Sequence, residues 1–344
     1  MAAIKKIANF AISGHLGKGG MGDVYKAVQQ PLGRDVALKV LFNHQNDDKA
    51  VSRFETEARA ISKLQHNNIV SLYDYGIENG LNYFAMQYVE GKDLNTLLQE
   101  KRQLGFKQII DITRQISRGL LYAHSAGIIH RDIKPHNILL DSDENCYISD
   151  FGIARIFRES GVTQTGVAIG TPEYMSPEQA QGKSLDSQTD VYSLGTLMYE
   201  MVTGIPPFSG KNAVGIAYKQ VHEHPKPPSK HRPDVPKRLE LIILKALKKS
   251  KKERYRSIEG ILNDLDTVVI AEKTGLFKAV KPSKPEVSEP DTRITDRRAP
   301  MERRTENNRR DKVTIFSFIG NTLKNQWLSL ILIAILYVHQ FWLK

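Results

Sequence analysis

Between positions 128 and 140 the chain reads IIHRDIKPHNILL, with Arg131, Asp132, Lys134 and Asn137 close together between two apolar runs. Ionised groups drawn toward an interior are costly unless they are paired, so this stretch limits what can form around it. The fold must bring partners to an aspartate, a lysine and an asparagine at one place. Two buried flanks are what a positioned site needs as rigid supports. The plainer alternative is a polar loop between two strands.

The chain changes hydrophobic period near residue 90. From Phe10 to Leu41, 16-LGKGGMGDVYKA-27 and 35-DVALKVL-41 alternate and are broken by glycine, which predicts strands of an antiparallel sheet. In 50-AVSRFETEARAISKL-64 the residues Phe54, Ala58, Ile61 and Leu64 recur at helical spacing. Two strand-like runs follow, 69-IVSLYDYG-76 and 81-LNYFAMQYV-89. After Gly91 the pattern is helical, with apolar residues at spacings of three and four in 106–127, 190–204, 212–223, 237–249 and 257–272. The expected class is α+β: a small β-rich lobe with one main helix over about 10–90, and a larger, mainly helical lobe over about 91–272. A cleft between two lobes is a natural ligand site. There is no internal repeat.

Residues 273–314 carry prolines at 282, 285, 290 and 300, dense charge and little apolar material. Such a segment cannot offset the entropy of ordering, so a disordered tether is expected. Within 324–343, the run 327-WLSLILIAILYVHQFWL-343 holds no formally fixed charge. As a helix it measures about 25 Å, near the short limit for a bilayer core of about 30 Å. Lys324 and Lys344 can snorkel at its ends, and Trp327, Tyr337 and Trp342 supply interfacial aromatics. A transmembrane helix is expected, against an in-plane anchoring helix or a buried terminal one. The arginine-dense run 297–310 before it puts the soluble part on the cytoplasmic face of the inner membrane, single-pass and tail-anchored, with no sensor domain beyond the span. A net charge of +11 admits nucleic acid or an anionic membrane as partner. Because the basic run adjoins the apolar segment, anionic membrane lipids are the nearer partner and no specific nucleic acid is expected. The single Cys146 excludes an intrachain disulfide, and no apolar run after Met1–Lys6 suggests a signal peptide.

Gly17, Gly19 and Gly22 form G-x-G-x-x-G-x-V with Val24. Alone this is also the pattern of a flexible hairpin; chemically, missing side chains let backbone N–H groups approach phosphate oxygens. A dinucleotide fingerprint would open a helix here, whereas Asp23 to Val28 continues as a strand, and no G-x-x-x-x-G-K-[ST] is present. Lys39 shares a strand face with Ala37 and needs an anion, which ATP phosphates and a carboxylate would supply. Glu57 is preferred over Glu55 as that carboxylate, since Ile61 lies one turn ahead on its face. The stretch at 130 reads H-R-D-x-K-x-x-N, and Asp150-Phe151-Gly152 follows. Asp132 would take the proton of an incoming hydroxyl, Lys134 would balance charge on a transferring phosphoryl group, and Asn137 with Asp150 would hold Mg²⁺.

In order and spacing these motifs resemble the eukaryotic-type (Hanks-type) serine/threonine protein kinases, most closely their bacterial membrane-anchored branch, over about residues 10–270. The resemblance implies a bilobal protein kinase fold over 10–272, using ATP with Mg²⁺, or Mn²⁺ as an alternative, to phosphorylate Ser/Thr hydroxyls of proteins. It implies an ATP site formed by Leu16, Gly17, Lys18, Gly19, Gly20, Met21, Gly22, Asp23 and Val24 over the phosphates, with Lys39 on the α and β phosphates and Glu57 holding Lys39. Met86 falls at the gatekeeper, and Gln87 to Val89 at the hinge that binds adenine. Leu72, Ile61, Phe151 and His130 would stack as a spine between the lobes. Glu178 would pair with Arg254, and Asp190 would brace the catalytic loop. Ser-Pro-Glu at 176–178, in place of Ala-Pro-Glu, and Gln87, in place of a glutamate, are small departures.

Lys134 and 170-GTPEY-174 are what the resemblance expects for serine/threonine acceptors, with Thr171 near Asp132 and Lys134. Of Ser160, Thr163, Thr165 and Thr171, it points to autophosphorylation at Thr163 or Thr165, in trans between two kinase copies, with the phosphate docking on Arg131. The alternative is a loop ordered without modification. A scaffold without catalysis would need a broken element, and none is broken. A small-molecule kinase would tend to lack the segment 170-GTPEYMSPEQ-179, which is complete.

Overall fold

The computed structural model describes residues 5–19, 22–41, 48–101, 103–151 and 171–273. All of these lie in the compact unit Met1–Ala279; the second unit, Val280–Lys344, lies outside the described residues. Also outside them are Gly20, Met21, Thr163, Thr165, the tether from 274 onward and the expected span at 324–343. No helix among the described residues is long and apolar enough to cross a membrane.

The alternating N-terminal runs form strands β1 (Lys6–Ile7), β2 (Phe10–Gly19), β3 (Gly22–Gln29), β4 (Arg34–Leu41), β5 (Leu72–Glu78) and β6 (Leu81–Gln87). They make one antiparallel sheet in the order β1-β2-β3-β4-β6-β5. The period of two divides β4 between two apolar clusters. Val36, Leu38 and Val40 pack with Phe10, Ala27 and Ala85, whereas Leu41 packs with Phe84 and with Phe54 and Ala58 of helix α1 (Asp48–Ile61). These are the α1 positions whose spacing marked a core face, and each large side chain buried there contributes about 1.5–3 kcal/mol.

The second lobe contains helices α2 (Leu94–Lys101), α3 (Phe106–Ser125), α4 (Pro177–Ala180), α5 (Ser187–Thr203), α6 (Ala213–His222), α7 (Lys237–Ala246) and α8 (Ile258–Lys273). Helix α5 is its axis: Val191, Tyr192, Leu194, Leu197, Met198, Tyr199, Met201 and Val202 are all buried, so it is apolar on every side. It starts where the Asp186 side chain accepts from the Gln188 N–H, and it stops at Gly204, whose φ of 78° suits glycine. The α4 turn starts in a capping box between Ser176 and Gln179.

A three-stranded sheet, β7 (Gly91–Asp93), β8 (Ile138–Asp141) and β9 (Cys146–Ile148), interrupts the stretch that reads as helical after Gly91. With three or four residues each, these strands are too short to show a period. They position the site, because β8 follows the polar stretch and β9 precedes Asp150. The β9 strand also reaches the first lobe: Ile148 N donates to Asn68 O and Val70 N donates to Ile148 O, both at 2.9 Å.

Candidate active site

The stretch at 128–140 folds as an irregular segment, a 3₁₀ turn at Pro135–Asn137, and then β8. Its polar groups meet one another. Lys134 Nζ lies 2.8 Å from Asp132 Oδ2, while Asn137 Nδ2 donates to Asp132 O at 2.7 Å and to Asp132 Oδ2 at 3.1 Å. The backbone is held from below by α5: the N–H groups of His130 and Arg131 donate to Oδ2 and Oδ1 of Asp190, each at 2.8 Å. Burial pushes the Asp190 carboxyl up, but the His124 hydrogen bond and charge, His130 and the Arg131 N–H outweigh it and hold the group below the ordinary aspartate value. Arg131 and Asp150 have φ of 71° and 63°, left-handed conformations that cost about 1–3 kcal/mol and persist where surrounding contacts determine them.

Lys39 is buried on β4, and its Nζ lies 2.7 Å from Asp150 Oδ1. Burial raises the Asp150 carboxyl, and the charge and hydrogen bond of Lys39 more than reverse this, leaving it ionised below its usual range. Glu57, the carboxylate expected from the sequence, is half-buried on α1. Phe151 is buried beneath His130, with ring centroids 4.6 Å apart in an edge-on contact, and it shares an apolar cluster with Ile61 and Leu72. Met86 sits opposite Ala37 and Gln87 opposite Val36. Gln87 is pinned by its N–H to Ser71 O at 2.9 Å and by its Oε1 to Ser71 N at 3.3 Å; Val89 follows it, half-buried.

The glycines of the first motif differ in what they leave room for. A Cβ on Gly17 would meet nothing within 4 Å, whereas one on Gly22 would lie 2.1 Å from Val40 O. Gly22 is therefore required for the approach of β3 to β4, whereas Gly17 leaves open space. Leu16 is exposed, Lys18 pairs in register with Asp23, and Val24 pairs with Lys39.

Farther on, Thr171 precedes a 3₁₀ turn, Pro172–Tyr174, without a side-chain cap bond. Arg254 grips Glu178 with both prongs, Nη1 to Oε1 at 2.8 Å and Nη2 to Oε2 at 3.1 Å, and both side chains are buried. Burial raises Glu178, and the Arg254 hydrogen bond and charge bring it below the usual glutamate value. The Tyr174 hydroxyl donates to the Glu200 carboxylate.

Three contributors escaped the sequence reading. His124, in the last turn of α3, brings Nε2 to 2.7 Å from Asp190 Oδ2. Gln179 Nε2 donates to Arg131 O at 2.8 Å, joining the α4 turn to the stretch at 128–140. Its spacing after Ser176 was a visible capping-box signal. Gln220 lies fully buried on α6, four residues after Ile216, so its helical position put it on the core face.

Mg²⁺ is commonly held by one or two side-chain oxygens together with substrate phosphates. Asp150 and Asn137 fit that chemistry, because the amide nitrogen of Asn137 is committed to Asp132 and its oxygen remains the ligating end. Among the described residues no group of three His, Cys, Asp or Glu forms an all-protein metal site, which such a shared site does not need.

A sheet-and-one-helix lobe joined to a lobe built round a buried helix, with the charged groups of both meeting at Lys39 and Asp150, is the bilobal kinase fold. Comparison with known proteins makes the class specific. The protein kinase domain profile matches residues 10–264. The chain is 41% identical over 261 residues to a probable serine/threonine-protein kinase of Clostridium acetobutylicum, covering 75% of this chain and 40% of that protein. It is 40% identical over 271 residues to serine/threonine-protein kinase pkn3 of Myxococcus xanthus, covering 75% and 50%. With serine/threonine-protein kinase PrkC of Bacillus subtilis it shares 40% identity over 259 residues, covering 75% and 40%. The chain belongs to the protein kinase domain family. It spans half or less of the length of these curated relatives.

Proposed function

We propose that this chain is a serine/threonine protein kinase, using ATP with Mg²⁺ to phosphorylate protein hydroxyls. What carries this is the convergence of Lys134 and Asn137 on Asp132 beside the Lys39–Asp150 pair. ATP supplies the phosphoryl donor, and Mg²⁺ neutralises charge on its phosphates. The residues of the chain bind, orient and move the proton. Asp132, with Oδ2 held by Lys134 and Asn137, orients the acceptor hydroxyl and takes its proton on Oδ1. Lys134 offsets charge on the moving phosphoryl group. Asn137 and Asp150 ligate the metal, Lys39 holds the α and β phosphates with Glu57 behind it, and Leu16 to Val24 cover them. Met86 to Val89 receive the adenine. Thr171 and the Glu178–Arg254 pair support the segment that docks the acceptor.

The finer reading adds autophosphorylation at Thr163 or Thr165, in trans between two copies, with Arg131 as phosphate partner. It also places signalling at the cytoplasmic face of a membrane, with 324–343 as anchor and the basic run 297–310 against anionic lipid. The bonds from Asp190 and Gln179 to the Arg131 backbone support the first part, since they give that arginine a fixed base. Composition of the tail supports the second.

The test is transfer from labelled ATP by the purified full chain, in detergent and in anionic liposomes, beside its Asp132→Asn form. Label on serine and threonine of an added protein, lost in Asp132→Asn while ATP still binds, is expected, with label on Thr163 or Thr165. An ATP-binding wild type that transfers nothing in either setting would overturn the kinase reading. Active enzyme with neither threonine modified would remove only the autophosphorylation part, and indifference to liposome charge only the lipid part.

A further inference from the structure

A chain of polar contacts leads into the docking segment through Gln220. The Gln220 side chain donates through Nε2 to Glu173 O at 2.6 Å and to Pro172 O at 3.1 Å. Its Oε1 accepts from the Tyr192 hydroxyl at 2.6 Å, and that hydroxyl accepts from Lys249 Nζ at 2.9 Å. Gln220 and Tyr192 are fully buried. Lys249 also donates to Lys219 O at 3.4 Å and sits 4.1 Å from the ring centroid of Phe208. Three separate pieces of chain, α5, α6 and the 3₁₀ turn, therefore meet through one amide, and the segment after α7 joins them through the Tyr192 hydroxyl. A buried amide with both ends satisfied specifies one geometry, since any shift leaves a polar group unpaired.

We infer that Gln220 is a positioning residue for acceptor recognition: it sets the backbone of Pro172–Glu173, and through it the surface on which the acceptor chain lies. This rests on the kinase reading. Gln179 and Arg254 hold the far end of the same segment, through Arg131 O and Glu178, so the turn is clamped from two sides. Among the described residues, no hydrogen bond or ion pair joins Lys39, Asp150 or Asn137, the groups assigned to the nucleotide, to Gln220, Tyr192 or Lys249. Loss of Gln220 should thus weaken acceptor binding and spare the nucleotide.

The experiment measures steady-state kinetics of the full chain with a serine/threonine acceptor protein, varying acceptor and ATP in turn. Gln220→Met keeps the length and removes both polar ends; Tyr192→Phe keeps the ring and frees Oε1. For Gln220→Met the acceptor KM is expected to rise about tenfold, with the ATP KM within about twofold of wild type. Tyr192→Phe should move the acceptor KM the same way by about threefold, and it decides alone if Gln220→Met does not fold. An active wild type with an unmoved acceptor KM in the folded variants overturns the inference alone, as does a joint rise of both KM values. A wild type without transfer overturns the kinase reading and takes the inference with it.

Discussion

Lys249 shows how one side chain can make stability depend on pH. Burial, with the Arg254 charge nearby, pushes its ammonium down from 10.5 to about 7. Between those values the unfolded chain binds more protons than the folded one, so stability climbs as pH rises through the window. Below about 7 the penalty for burying the charge is fully present. Lys249→Met carries no such penalty, so its stability relative to wild type should be highest near pH 6 and should fall toward pH 10. Urea midpoints at four pH values check this, and a flat difference would refute it. Asp190 has the opposite sign: its carboxyl is depressed, so it stabilises above the unfolded aspartate value and the contribution fades as pH falls through the acid range. Asp190→Asn leaves one acceptor oxygen where two backbone N–H groups and His124 now converge, which should cost about 1–3 kcal/mol at pH 7 by denaturant unfolding. Asp190 could be named from the sequence, but His124 could not, because a histidine in the last turn of a helix carries no signal of the carboxylate it will meet.

At the scale of elements, the crossing of α5 and α7 depends on a missing side chain. A Cβ on Gly195 would lie 2.7 Å from the Ala246 Cβ, so Gly195→Ala must move the helices apart. Overpacking of this kind costs about 1–3 kcal/mol, readable as a lower urea midpoint. The join between α4 and the segment before α8 depends instead on Glu178 and Arg254. Removing either partner alone should cost about 3–5 kcal/mol, because it strands a buried charge. Replacing both with apolar residues of similar size should recover most of that loss, as a double-mutant cycle would show. Long elements were legible because ten or more residues are enough to show a period: α3, α5 and α8 lie close to where their apolar spacing placed them. The strands β7 to β9 were not, since their pairing comes from partners outside each short run. Nor could spacing tell that Gly22 serves strand packing while Gly17 leaves open space.

For the molecule as a whole, a ligand that binds only the folded state should stabilise it by mass action. ATP with Mg²⁺ at a hundredfold over Kd should add about 2.7 kcal/mol, seen as a raised thermal midpoint. Chelating the metal or substituting Asp150→Asn should remove most of that gain, and an equal shift without metal would count against the assigned ligands. The amino-acid sequence by itself determined the two lobes, the order of the motifs and which side chains carry charge or hydrogen-bonding capacity, because hydrophobic period and residue chemistry are local properties. Tertiary structure alone decided who meets whom. Lys39 on β4 meets Asp150, two residues past the end of β9, at 2.7 Å. Likewise Asp190 reaches back 60 and 59 residues to His130 and Arg131, and Gln220 reaches the carbonyls of Pro172 and Glu173. Pairings across such separations depend on how the packed elements close the loops between them, and no spacing within a single element contains that distance.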